Sequence, residues 1–198
     1  MRHSKFKSLR AESIIETIIA ITVIIIGSSA AIGMTRSALT GNENIGQKMV
    51  AMNLAEEGIE GVKNIRDTNY LRFSSDPDTC WKSLMVNSTA TSSNCSTTEI
   101  RDGTYYLTRD LITNLYAWGL STSATNRQVY SYAMDSTHLL YAQKSASSSY
   151  TSTATIYYRT LTVENMSADA FDLTVTVTWT EDAISKTLSL TRKIANVY

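Results

Sequence analysis

The sequence predicts an α+β fold: one long N-terminal helix, apolar in its first half and amphipathic in its second, packed on an antiparallel β-sheet head. Three patterns predict it. Residues 17–35 form nineteen consecutive positions without a charge. Ile45, Met49, Met52, Ile59 and Val62 then recur at three- and four-residue steps, with one longer gap, which is the period of a helix face. Much later, Phe171, Leu173, Val175, Val177 and Trp179 alternate with Asp172, Thr174, Thr176, Thr178 and Thr180, which is the period of a strand with one buried face. A sheet with one apolar face needs a cover, and the only long amphipathic helix in the chain is available to provide it. The 198 residues have room for one core.

Residues 1–11 form a short basic leader. Arg2, Lys5, Lys7 and Arg10 lie there with no acid among them. The formal net charge of the whole chain is zero, so removal of the leader leaves 14 basic against 18 acidic residues, a net of −4. A body of that sign disfavours bulk attraction to nucleic acid or anionic lipid.

Residues 12–35 read as a membrane segment. Nineteen helical residues span about 28 Å, close to the hydrocarbon thickness of a bilayer. The basic leader predicts that the N-terminus stays in the cytoplasm while the body crosses outward. Three uses of such a segment compete: a plain single-pass anchor, a secretory signal peptide cut near Ser28-Ser29-Ala30, and a segment whose function depends on Glu16. An ionisable group at the centre of a membrane helix costs about 2.5–3.5 kcal/mol. Neither an anchor nor a discarded signal has a reason to carry it. If the chain is cut after Ala11, Glu12 becomes the first residue and acquires a free amine. Glu16 is then the fifth residue, about one helical turn away. Amine and carboxylate can neutralise each other in apolar surroundings, within one chain or between neighbours.

A basic leader, a small residue before the cut, and a glutamate four residues after it at the head of an apolar helix resemble a type IV prepilin. Ala11, Glu12, Ser13, Ile14, Ile15 and Glu16 carry the likeness. The resemblance implies that a membrane prepilin peptidase cuts between Ala11 and Glu12 and methylates the new amine of Glu12. It implies that the helix is retained as the core of a filament, with Glu16 as the assembly residue. Major pilins usually place phenylalanine where this chain has Glu12, so the likeness leans toward a minor pilin or a pseudopilin. The partners implied are the prepilin peptidase, other pilin subunits and the membrane protein of the assembly platform. The precursor would sit in the cytoplasmic membrane, head outside, and the mature protein at the cell surface. The alternatives are a membrane-anchored binding domain that never polymerises and a pseudopilin of a secretion or DNA-uptake system.

Residues 36–66 read as the amphipathic half of a helix running from about residue 13 to 66, with loosening expected at Gly41 or Gly46. Glu60–Lys63 and Lys63–Asp67 have ion-pair spacing, worth tenths of a kcal/mol each. Gly58 and Gly61 each cost a helix about 1 kcal/mol relative to alanine. Either another element approaches the backbone there or the helix is locally weak. The run Ala55-Glu56-Glu57 is similar to the end of the long helix in minor pilin-like proteins. Gly27 and Gly33, with Ser28-Ser29, mark a stretch of the apolar half that either unwinds on assembly, as in bacterial pilins, or packs closely against another helix.

Residues 67–198 read as a β-rich head. The strand at 171–180 is flanked by 156–163 and by 188–194, and short connections make the three an antiparallel meander. The Thr174–Trp179 stretch is similar to the closing strands of pilin-like subunits, and Trp179 reads as a core anchor. Residues 103–107, 128–133 and 139–142 are further strand candidates, while 87–98 and 144–155 are Ser/Thr-rich and read as loops. Asn87, Asn94 and Asn165 head glycosylation-type triplets, a pattern that arises often by chance. Cys80 and Cys95 form a disulfide if the head lies outside the cytoplasm, worth about 3 kcal/mol, or remain two thiols if it does not. No catalytic constellation, metal-ligand spacing or phosphate loop appears in the sequence, and neither enzyme activity, a cofactor nor a metal is expected. Asp76-Pro77-Asp78 reads as a solvated turn.

Overall fold

The computed structural model describes residues 14–84, 95, 99–109, 118–133, 139–143, 151–181 and 183–197. The chain divides into two compact units, Met1–Gly46 and Gln47–Tyr198. In the first unit every described residue is helical, and the helix, α1, runs Ile14–Arg72. Its residues from Gln47 onward belong to the second unit, where they pack on the sheet.

The second unit continues with α2 (Pro77–Cys80), β1 (Gly103–Arg109), β2 (Trp118–Ser121), a short 3-10 helix (Ala124–Arg127), β3 (Gln128–Ala133), β4 (Leu139–Gln143), β5 (Ser152–Glu164), β6 (Ala170–Glu181) and β7 (Ile184–Ala195). The seven strands make one antiparallel sheet. β5 is its centre. On one side it pairs with β6, which pairs with β7. On the other it pairs with β3 through its first half and with β1 through its second, and these carry β4 and β2 in turn. The meander expected at the C-terminus is present, each strand slightly longer than its alternating core.

Alternation sets the two faces. Leu173, Val175, Val177 and Trp179 of β6 are buried, as are Tyr157, Leu161 and Val163 of β5. Against them lie Ala51, Leu54, Ala55, Ile59, Val62 and Ile65 of α1. The opposite face is a hydroxyl surface. Thr174 Oγ1 lies 2.9 Å from Thr191 Oγ1, and Thr176 Oγ1 lies 2.9 Å from Ser189 Oγ, across the β6–β7 pair.

Several expectations are corrected. The helix ends at Arg72 rather than near residue 66, and it passes Gly41 and Gly46 without interruption. The extra turn carries Asn69 and Tyr70, which bond to other parts of the head. Ile45, Met49 and Met52 do not form the buried stripe and are exposed. Ile59 and Val62 of that stripe are buried, with Leu54 and Ile65, and between them the buried face carries the small residues Ala51, Ala55, Gly58 and Gly61. The small residues bring the helix backbone close to the sheet, which large side chains would prevent. Glu60–Lys63 pairs at 2.7 Å, but Asp67 pairs with Arg66, also at 2.7 Å, rather than with Lys63. Asp76-Pro77-Asp78 opens the short helix α2, with Pro77 at its start. Cys80 and Cys95 are joined as a disulfide. Asn87 and Asn94 lie outside the described residues, and Asn165 takes a left-handed turn with its amide donating to Asp172 at 2.8 Å.

Candidate membrane and assembly segment

From Ile14 to Thr40 every residue of α1 is exposed. An 18-residue window of this stretch has a mean hydropathy of 2.2, long and apolar enough to cross a membrane by length and composition. Its β-branched isoleucines are poor reasons for a helix in water, where they lose rotamer freedom. In hydrocarbon the helix is favoured because every backbone group must find a partner within the segment. The polar side chains obey the same demand. Thr22 Oγ1 donates to the Ile18 carbonyl at 2.7 Å, Ser29 Oγ to Ile25 at 2.7 Å, and Thr35 Oγ1 to Ala31 at 2.9 Å. Gly27 and Gly33 lie in unbroken helix, and a β-carbon at either would meet nothing within 4 Å.

Glu16 sits in the first described turn of α1 and is exposed. Ala11 and Glu12 lie outside the described residues, so the cleavage and methylation positions are not brought into geometric relation with Glu16 here. Among the described residues, Arg36 is the first charge after Glu16.

Within the second unit, three attachments hold the helix to the sheet. The first is a buried ionic knot. Arg159, fully buried on β5, donates from Nη1 to the Leu54 carbonyl and to Glu57 Oε2, both at 2.9 Å. Its Nε donates to Gln143 Oε1 at 3.1 Å. Gln143, itself buried, also accepts from the Leu107 backbone N–H at 2.9 Å and donates to the Arg159 carbonyl at 2.8 Å. Burial holds the Arg159 guanidinium below its ordinary pKa, while the Glu57 carboxylate pulls it back up. The second attachment is at the helix end. The Tyr70 hydroxyl donates to Asn196 Oδ1 and accepts the Val197 N–H at 2.9 Å, and Arg66 Nη1 reaches the Ala195 carbonyl at 3.1 Å. The third is Asn69, which donates to the carbonyls of Trp81 at 3.1 Å and Ser83 at 2.7 Å. Trp81 in turn stacks on Phe171 of β6 with centroids 5.7 Å apart.

Sequence reasoning missed Arg159 and Gln143. The signal was present for the first. Arg159 stands on the inward side of the β5 alternation, between Tyr157 and Leu161, where a charge implies a buried counter-charge.

A surface depression of about 260 Å³ opens beside this knot, lined by Glu57, Glu60, Lys63, Asp67 and Trp118 among others. Its carboxylates are already paired with Arg159, Lys63 and Arg66. Among the described residues no group of three or more His, Cys, Asp or Glu could hold a metal ion. No known family model, curated protein or solved structure matches the chain.

Proposed function

We propose that this chain is a structural subunit of a type IV pilus or related filament, most consistent with a minor pilin. It is stored in the cytoplasmic membrane with its head outside and polymerised through its N-terminal helix. One observation carries the reading: α1 is exposed over 14–40 and uncharged over 17–35, yet built into the core of a β-rich head over 51–65. A helix of that kind has one end assigned to the head and the other left for a bilayer or for like helices.

The sequence around Ala11 and Glu16 supports filament over anchor. A prepilin peptidase cuts after Ala11 and methylates Glu12. The Glu12 amine then faces the Glu16 carboxylate of the same or a neighbouring subunit. In low dielectric that attraction is strong and its loss leaves a bare charge, so pairing sets the stagger between subunits. Other pilin subunits and the assembly-platform membrane protein are the partners of this step.

The deciding measurement is the intact mass of the chain recovered from cells that contain a prepilin peptidase. Loss of the first 11 residues, with or without one methyl group, is the expected result. An unprocessed N-terminus would instead mean a membrane-tethered ectodomain, and loss of about 30 residues, the length of a signal peptide, a secreted one.

A further inference from the structure

The face of the sheet turned away from α1 is a regular hydroxyl array. Thr104, Thr162, Thr174 and Thr191 stand side by side across β1, β5, β6 and β7. Thr160, Thr176 and Ser189 form the next row. Thr178 with Thr187, flanked by Tyr158, and then Thr180 with Ser185 continue it. No outward position in these rows carries a charge. The charges stand at the border, in the Glu164–Asp172–Lys193 row and at the exposed Arg127, whose guanidinium lies 5.0 Å over the Tyr158 ring. β-propensity explains threonine in a strand, but not the serines, nor the absence of the lysines and glutamates that an ordinary solvated face carries. The chain as a whole is 18% charged, so a neutral patch of this extent is a departure.

We infer that this face binds an uncharged polysaccharide presented as an ordered surface. Charge decides the class of partner. A polyanion or polycation would lose hydration of its charges over rows whose counter-charges stand only at their border. A neutral polyol loses none. Each threonine presents a hydroxyl that both donates and accepts, and a methyl that suits the C–H face of a sugar ring. The array repeats at about 4.8 Å across strands and about 6.7 Å along them. The two 2.9 Å cross-strand contacts, Thr174 to Thr191 and Thr176 to Ser189, hold four of its rotors in place before any ligand arrives. One hydroxyl exchanged for water gains about 1 kcal/mol at best. Only a partner that repeats, so that every later contact is intramolecular, can add such contacts into retention. That requirement selects an ordered polymer surface over a free sugar. The inference stands apart from the filament reading: an unprocessed N-terminus would leave it unchanged.

The test is co-sedimentation of the full chain, in non-ionic detergent micelles, with microcrystalline cellulose. The wild type is expected in the pellet at low and at high salt alike, and glucose should not elute it. Thr176→Glu, a charge at the centre of the array, should lower the bound fraction about tenfold by breaking that multivalent contact. Asp172→Asn, in the charged border row, should leave it unchanged. Ser189→Glu, on the exposed edge strand, is the second variant should Thr176→Glu lose its circular-dichroism signature of folding. Wild type left in the supernatant overturns the inference. So does binding abolished by high salt, or retention of the folded glutamate variants. Inhibition of ice growth without cellulose retention would assign the same array to a water lattice and overturn the polysaccharide.

Discussion

At the scale of single residues, the knot of Arg159, Glu57 and Gln143 decides more than its size suggests. Arg159 has no exposed surface, whereas the Glu57 side chain keeps 26% of its own. The two partners are therefore unequal. Glu57→Gln strands a guanidinium that cannot reach water. Removing one partner of a buried pair costs about 3–5 kcal/mol, and partial exposure of Glu57 puts this case at the lower end. Arg159→Met removes the buried charge itself and leaves a carboxylate that can turn to solvent, so it should cost less. Urea unfolding at constant m-value measures both, and equal losses would show that the pair does not work this way. Tyr70 and Tyr157 give a pH signature at the same scale. Burial is the largest influence on each and raises its pKa above the ordinary 10.0, against the Val197 N–H in the case of Tyr70. The unfolded phenol therefore loses its proton first. Stability from these groups is full below about pH 10 and is lost as pH rises through their folded pKa values. Tyr70→Phe should flatten the alkaline fall in melting temperature, and an unchanged slope would contradict this origin. The Tyr70 contacts with Asn196 and Val197 were not legible in the sequence, because they join residues more than a hundred positions apart.

At the scale of elements, the legible features were those written as local periodicity. β6 alternates for ten residues because β5 and β7 flank it and one of its faces is covered, so each side chain reports its face. β2 has four residues, one of them Gly119, and too few side chains to show a period. The stem shows why the strongest-looking stripe misled. Large residues at helical spacing, Ile45, Met49, Met52, Ile59 and Val62, suggested the buried face, yet only Ile59 and Val62 are buried, and alanine and glycine share that face with them. The two stem glycines test that account. A β-carbon on Gly58 would lie 2.8 Å from Val175 Cγ1, and one on Gly61 would lie 2.7 Å from Leu107 Cδ2. Alanine gains about 1 kcal/mol in helix propensity, but overpacking costs about 1–3 kcal/mol. Val175 is β-branched and held in the central pairing of β6, whereas the Leu107 tip can rotate. Gly58→Ala should therefore destabilise, and Gly61→Ala should destabilise less. Gly27→Ala, with nothing within 4 Å, should not destabilise the fold at all. Thermal melts of the three would expose an error in the order. The disulfide belongs to this scale too. Cys80 and Cys95 are 15 residues apart, and the chain-entropy account gives their closure about 3 kcal/mol, which a Cys95→Ser melt would read directly.

At the scale of the whole molecule, one helix has an apolar exposed half and a half built into the head, and on the proposed reading Glu16 is where the two environments conflict. Along 17–35 the hydroxyls of Thr22, Ser29 and Thr35 satisfy themselves on their own helix, so they impose no partner. A carboxylate cannot do that. Left alone in hydrocarbon such a group is costly, by about 2.5–3.5 kcal/mol at the centre of a bilayer. On the filament reading, cleavage after Ala11 supplies the missing cation at Glu12, and the carboxylate changes from a cost into the contact that selects one stagger over others. The head has no part in that contact, nor does the peptidase need the carboxylate to reach its bond on the cytoplasmic side. Glu16→Ala should therefore leave three things intact: membrane insertion, the melting of the head, and loss of the first 11 residues by mass. It should lower incorporation into sheared filaments by about tenfold or more, the factor expected when a contact worth a few kcal/mol is removed from each subunit. Glu16→Gln keeps the shape and removes the charge, and should fail to the same extent. A Glu16→Gln subunit that enters filaments as well as the wild type would reduce the residue to a hydrogen-bonding group and remove the electrostatic account of the stagger.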